Sequence, residues 1–307
     1  MINFFNALLP VIVIVGLGRF LAWKAVIPDS GFRSVERLCF VLLLPVMVVG
    51  VLAEADFDDA PWRMAVALLG AQAVVVASSV IAPLWKKTTR PAIGCIIQSN
   101  ARWNALIGLS IAGSLYGEAG LALVAITAAV LIPTANMITV TGFSIYGDIG
   151  DKPKRNPLIE LIRNPIVIGC IIGGLLNVLN MPPSGVVKTT MNILADGAIA
   201  LGLLAAGAAV DIAALKRAGA RTFFWAGWRL VSYPAVAGGL GWVLGASPMT
   251  IMVMVICTAT PTATSGYILA KEMGGDAPFM ANLVAVQTVL AIITMPIIFL
   301  IAQSLVG

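Results

Sequence analysis

Long apolar runs alternate with short polar stretches along almost all of the 307 residues. The apolar runs lie at roughly 4–23, 36–53, 62–84, 92–116, 119–146, 158–180, 188–210, 220–245, 249–270 and 277–303. Each approaches the ~20 residues an α-helix needs to cross about 30 Å of hydrocarbon. The pattern predicts an all-α membrane protein with ten transmembrane helices. The longest and most polar connection, 147–157, divides them five and five. Five is odd, so the second half must enter from the opposite side, which predicts a 5+5 inverted repeat. The expected organisation is a first five-helix repeat over 1–146, a cytoplasmic linker over 147–157 and a second, inverted repeat over 158–307.

Two of these runs are broken by polar residues at corresponding places. Gln98-Ser99-Asn100-Ala101-Arg102-Trp103-Asn104 interrupts the fourth, and Thr258-Ala259-Thr260-Pro261-Thr262-Ala263-Thr264-Ser265 interrupts the ninth. Broken spans at matching points of two halves point to a transporter's binding site. Pro261 removes a backbone donor, and non-helical backbone at membrane depth is tolerated only inside protein or beside a cavity. A simple proline kink would explain one break; it does not explain two in register. Each break offers a half-helix N-terminus with unpaired N–H groups and partial positive charge, and two crossed breaks make an anion site. Arg102 adds a full charge and a planar fork suited to a carboxylate.

Composition narrows the classes. The chain is 60% hydrophobic and 11% charged, against about 25% charged for soluble domains. A net charge of +5 would suggest nucleic acid in a soluble protein. Here the basic residues cluster in loops: Lys24/Arg33/Arg37, Lys86/Lys87/Arg90, Lys152/Lys154/Arg155 and Lys216/Arg217/Arg221. That is the positive-inside pattern. It predicts a multi-pass protein of the cell inner membrane with both termini outside, in the periplasm, and no nucleic-acid partner; Arg63 and Lys188 run against it. The first charges, Arg19 and Lys24, come near and after the end of the first apolar run instead of preceding it, the wrong polarity for a cleaved signal. The chain has no histidine, and Cys39, Cys95, Cys170 and Cys257 form no C-x-x-C pair, so no metal or cofactor is expected. The acidic cluster Asp56/Asp58/Asp59 distantly resembles the metal-binding acidic motifs of membrane enzymes. It lacks a second cluster, reads as a solvated turn, and no enzyme activity is expected.

Charge inside the membrane sharpens the expectation. Arg102 and Arg229 lie deep in their runs, where an arginine costs roughly 2.5–3.5 kcal/mol on insertion scales. Asp196 is the one clear intramembrane acid, so positive charge remains for a substrate anion. Arg229 could instead pair with Asp196 or cap backbone carbonyls. The candidate substrate-binding residues are Asn100, Arg102, Asn104, Thr260, Pro261, Thr262 and Thr264 from the breaks, with Asn136, Gln287 and Arg229 from other spans. Thr134 and Thr288 are neighbouring polar residues. Buried amides also pair helices, and the glycines of 169–174 and 202–207 suit close helix packing.

Arg102-Trp103-Asn104…Gly108-Leu109, Tyr116-Gly117-Glu118, Thr260-Pro261-Thr262-Ala263, Asn156-Pro157…Asn164-Pro165 and Gln287-Thr288…Pro296 together resemble the auxin efflux carrier family. That family includes bacterial malate and malonate carriers, and the resemblance spans nearly the whole chain. Ser110 stands where the family usually has proline and Ala105 where glycine is common; the proline that plant members carry near Arg102 is missing. The resemblance implies a fold like the sodium/proton antiporters and bile acid symporters. In it the crossed spans 4 and 9 sit in a transport domain of spans 3, 4, 5, 8, 9 and 10, which moves against a scaffold of spans 1, 2, 6 and 7. It also implies a homodimer. The function expected is secondary transport of small organic anions, such as malate or malonate, by alternating access, with H⁺ or Na⁺ as possible coupling ion. A sodium-coupled solute symporter of the bile acid type is the alternative.

Overall fold

The computed structural model describes residues 2–55, 61–84, 88–148 and 156–306. All the regular structure among them is helical. Asp56, Asp58, Asp59, Lys86, Lys87, Lys152, Lys154 and Arg155 lie outside the described residues.

Several helices start at short polar caps, some of them directly before proline. α8 (Pro165–Val178) begins after Asn164, whose Oδ1 accepts from the N–H groups of Ile166 at 3.0 Å and Val167 at 3.4 Å. α12 (Pro248–Ala259) begins after Ser247, which accepts from Thr250 N–H at 3.3 Å. Asp211 caps α10 (Ile212–Arg217) through Ala213 and Ala214 N–H at 2.8 and 3.0 Å. A cap acceptor followed by proline uses both rules of helix initiation: a side chain takes an orphan N–H, and the next residue has none to leave orphaned.

α1 (Ile2–Trp23) is followed by α2 (Asp29–Leu38), which runs through a π-helical turn at Cys39–Leu43 into α3 (Leu44–Ala53). α4 (Pro61–Ala77) tightens into a 3₁₀ turn over Ser78–Leu84. α5 (Arg90–Ala101) and α6 (Ala105–Tyr146) are separated by the first break. α6 folds back on itself at Gly117 (φ 58°), and a side chain at Gly120 would collide with the carbonyl of Ala112. α7 (Pro157–Ile162), α8, α9 (Gly185–Ala208) and α10 follow, then α11 (Ala220–Val243), α12, α13 (Gly266–Glu272) and α14 (Ala277–Val306). Among the described residues, six helical stretches are long and apolar enough to cross a membrane, namely Asn6–Trp23, Ser30–Ala53, Pro61–Leu84, Arg90–Tyr146, Gly185–Ala208 and Ala277–Val306; α8 and α12 are shorter apolar helices. The run predicted over 158–180 is interrupted at Arg163-Asn164, between α7 and α8.

The helices pack in two groups joined by α6, which touches α1, α3, α8 and α9 as well as α4, α5 and α12. α1 lies along α9, and α3 lies along α8 and α9. α11 packs against α4, α12 and α14, while α12 and α5 both pack against α6 and α14. The first group comes together through glycine. A side chain at Gly18 would strike the carbonyl of Leu204, and one at Gly207 the carbonyl of Val15. Gly169 and Gly173 likewise face the backbone of α3, where an added Cβ would lie 2.9 Å from the carbonyl oxygens of Pro45 and Val49. Small residues let backbones approach, which is the main source of helix association where lipid removes the hydrophobic drive. Gly174 faces open space.

Candidate functional site

Both breaks form, each shorter than its polar stretch. Gln98, Ser99, Asn100 and Ala101 remain helical, and α5 ends at Arg102, whose backbone is extended (φ −92°, ψ 150°). α12 ends at Thr260, also extended (φ −62°, ψ 151°), as the residue before proline is driven to be. The first break has no proline, so its geometry comes from contacts. Asn104 N–H donates to Thr260 Oγ1 at 3.0 Å, and Asn104 Oδ1 caps α6 by accepting from Ile107 N–H at 3.3 Å.

Arg229, on α11, lies between the two breaks and is wholly buried. It donates to the carbonyls of Ser99 at 3.3 Å and Arg102 at 2.9 Å on one stub, and to those of Thr258 at 2.9 Å and Thr260 on the other. Tyr233 lies one turn further on with its ring centroid 5.4 Å from the guanidinium. Two helix C-termini carry about half a negative charge each, so together they balance one guanidinium without a carboxylate. Arg229 therefore caps carbonyls and does not reach the cavity described below. Asp196, on α9, is not its partner; it is exposed.

Other polar residues complete the brace. Gln287 on α14 accepts from Thr262 N–H at 2.8 Å and donates to Ser99 Oγ at 2.7 Å. Thr262 Oγ1 donates to the Ser99 carbonyl at 2.9 Å, and Thr260 Oγ1 to that of Cys257 at 2.7 Å. Gln72 on α4 donates to Ala101 O at 3.0 Å. Asn100 points away from the break, donating to Val75 O at 3.2 Å and Ser79 Oγ at 3.0 Å. Asn100, Thr260, Thr262 and Gln287 are buried, as is Pro261. Thr260, Thr262 and Gln287 tie the two breaks together, Asn100 fastens the end of α5 to α4 and its 3₁₀ turn, and none of these four nor Pro261 is among the lining of the cavity. Thr134 turns back to its own helix, donating to Val130 O at 2.9 Å, and Thr288 does the same to Val284 O at 2.8 Å.

The cavity, of about 630 Å³, opens beside the two breaks and is lined by Arg102, Asn104, Asn136, Thr264 and Ser265, together with Glu36. Arg102 projects into it, partly accessible, with one arm donating to Asn136 Oδ1 at 3.2 Å and the other to Ser265 Oγ at 3.1 Å. Both acceptors are neutral, and Arg102 makes no ion pair with a described carboxylate. Thr264 Oγ1 donates to Glu36 Oε1 at 2.9 Å. Arg33, Arg37 and Arg163 stand toward the cavity mouth. No group of metal-ligating side chains occurs among the described residues.

Of the ten expected binding residues, the structure thus gathers Arg102, Asn104, Asn136 and Thr264 at one cavity. Glu36 and Ser265 join them without having been expected as ligands. Glu36 lies at the start of an apolar run, between basic residues, and reads as a solvated helix end. The missed signal is that Asp29-Ser30 can begin a helix, which places Glu36 two turns inside it.

This chain of apolar helices with two interrupted spans matches a known family model over residues 3–299, described as membrane transport protein. The chain belongs to that family. It is the auxin efflux carrier family that the sequence motifs resemble. An uncharacterized transporter of Methanothermobacter thermautotrophicus is 21% identical over 297 residues, covering 95% of this chain and 96% of the relative. The chain is therefore a multi-pass membrane transport protein, and the cavity beside its two breaks is the candidate site of transport.

Proposed function

We propose that this transport protein carries small organic anions, mono- or dicarboxylates such as malate or malonate, by alternating access. One observation supports the anion reading above others: Arg102 offers its guanidinium to a cavity with hydrogen bonds only to the neutral oxygens of Asn136 and Ser265, while Glu36, the carboxylate that shares the cavity, is bonded by Thr264. A carboxylate can replace those acceptors with two parallel charge-assisted hydrogen bonds, roughly twice as strong as neutral ones. In this reading the chain crosses the membrane ten times as a 5+5 inverted repeat. α1–α3 and α7–α9 form the scaffold, and α4–α6 with α11–α14 form the moving part that carries the crossing. The basic mouth of the cavity then faces the cytoplasm, and both termini lie outside the inner membrane. A homodimer through the scaffold completes the picture.

Sodium coupling draws on two buried amide oxygens without partners, Gln98 Oε1 and Asn100 Oδ1. Their nitrogens donate to Gly266 O and to Val75 O with Ser79 Oγ. Residues two apart on a helix face different sides, so the two oxygens do not make one cage, and the anion reading is preferred.

The test is uptake of labelled malonate and malate by proteoliposomes. Arg102→Ala is expected to abolish uptake while the melting temperature stays within about 2–4 °C of the wild type, the shift expected for ~1 kcal/mol. Uptake that survives the substitution removes Arg102 from the site.

A further inference from the structure

Resting on the anion-carrier reading, we propose that Glu36 is the proton-binding group of the site: its carboxyl is protonated when a carboxylate settles on Arg102, so that proton and anion travel together.

The argument begins with two neighbouring hydroxyls. Thr264 donates to Glu36 and Ser265 accepts from Arg102. An acid from α2 and a base from the first break are thus hung on consecutive residues of the second break. They form no ion pair with each other. They share one cavity whose walls include Phe40, Leu44, Ile132 and Ile268. An anion that reaches Arg102 there comes to stand beside Glu36. Two carboxylates in one confined site oppose each other's ionised forms, and one of them takes a proton. The guanidinium holds its charge throughout, so Arg102 cannot serve that role. A hydroxyl both donates and accepts, so Thr264 can bond Glu36 in either state, and its orientation can record which state is present.

The surrounding charges set the order of events. Arg33, Arg37 and Cys39 face the cavity from Glu36's own helix, Arg102 from the first break, Arg163 from the turn before α8 and Glu272 from the end of α13; α9 contributes only Gly202 and Ala206, which do not titrate. Arg102, and more weakly the exposed Arg33, Arg37 and Arg163, favour ionised Glu36 while the cavity holds no anion. The arriving anion offsets them, and Glu36 then takes a proton from water on the open side. When the anion leaves on the other side, the proton follows it, and one proton crosses with each anion.

The experiment is calorimetric binding of malonate to the purified full-length protein, in buffers of different ionisation enthalpy, between about pH 6 and pH 8. Linkage makes the apparent affinity fall about tenfold per pH unit wherever one proton is taken up with the ligand. The wild type is expected to take up about one proton per malonate on the alkaline limb. Glu36→Gln is expected to bind with the wild type's low-pH affinity, a flat pH profile and no such uptake. Comparing the two proteins cancels malonate's own ionisation, and the wild-type measurement stands even if the variant misfolds. Wild-type binding without proton uptake overturns the proposal and leaves the anion reading intact. So does proton uptake unchanged in Glu36→Gln, or a Glu36→Gln protein that folds but binds at no pH, since the ionised carboxylate would then itself hold the ligand. A wild type that binds neither malonate nor malate at any pH ends the anion reading, and this inference with it.

Discussion

Replacing Arg229 with methionine removes a charge that lies outside the cavity lining, and it is expected to be among the most destabilising single changes in the chain. The guanidinium is wholly buried and donates to four carbonyls, those of Ser99, Arg102, Thr258 and Thr260. Hydrogen bonds to a charged group are worth about 1.5–3 kcal/mol each, a simple sum of about 6–12 kcal/mol. Contributions within one network are not additive, and the stubs can relax toward other donors. Retaining about half of the lower sum gives ~3 kcal/mol or more. At roughly 2–4 °C per kcal/mol for a chain of comparable size, the melting temperature should fall by at least about 6–12 °C. The assay is thermal unfolding of the detergent-solubilised protein, followed by tryptophan fluorescence. Arg229→Lys keeps the charge but presents it as a point and not a fork; it should recover part of the loss, because one ammonium cannot span both stubs. If Arg229→Met melts within about 2 °C of the wild type, the carbonyls have other partners and the capping account is wrong. The contrast with Arg102 is the diagnostic feature: loss of Arg102 should silence transport and spare the fold, whereas loss of Arg229 should weaken both.

Asn104→Ala removes the cap of α6 and should cost about 1 kcal/mol, read as a small drop in melting temperature with a larger loss of malonate uptake, because Asn104 also lines the cavity. Gly207→Ala should drive a methyl into the carbonyl of Val15 and destabilise by about 1–3 kcal/mol, checked by the same unfolding curve. Gly174→Ala, which meets nothing, is its control and should melt as the wild type does.

The sequence revealed where the chain is interrupted more readily than how the interruption is held. Pro261 marks one break directly, because the residue before a proline avoids the helical region. At the first break, polar composition overstated the unwinding. Gln98, Ser99 and Asn100 stay helical because their side chains bond to Gly266, Gln287 and Ser79 on other elements, leaving the local backbone undisturbed. Arg229 was open to two readings since a count of charged side chains omits the partial charges of helix ends, which exist only once the helices are folded and aimed. Glu36 was hidden for a related reason. Its neighbours Arg33 and Arg37 look like a membrane-surface cluster, and only the packing of α2 beside the crossing turns the acid toward the cavity. What pattern and chemistry could supply was the class of protein and Arg102; what depended on tertiary neighbours was the division between bracing and lining residues.

The seam between α1 and α9 has its own consequence. Gly18 meets Leu204 and Gly207 meets Val15, so a step along one helix is matched by an equal step backward along the other, and the two run antiparallel. Each backbone sits in a notch of its neighbour, and sliding by one turn would push side chains into carbonyl oxygens. Labels attached across that seam would keep a constant separation through a working cycle, giving a fixed ruler against which any displacement of α13 can be measured.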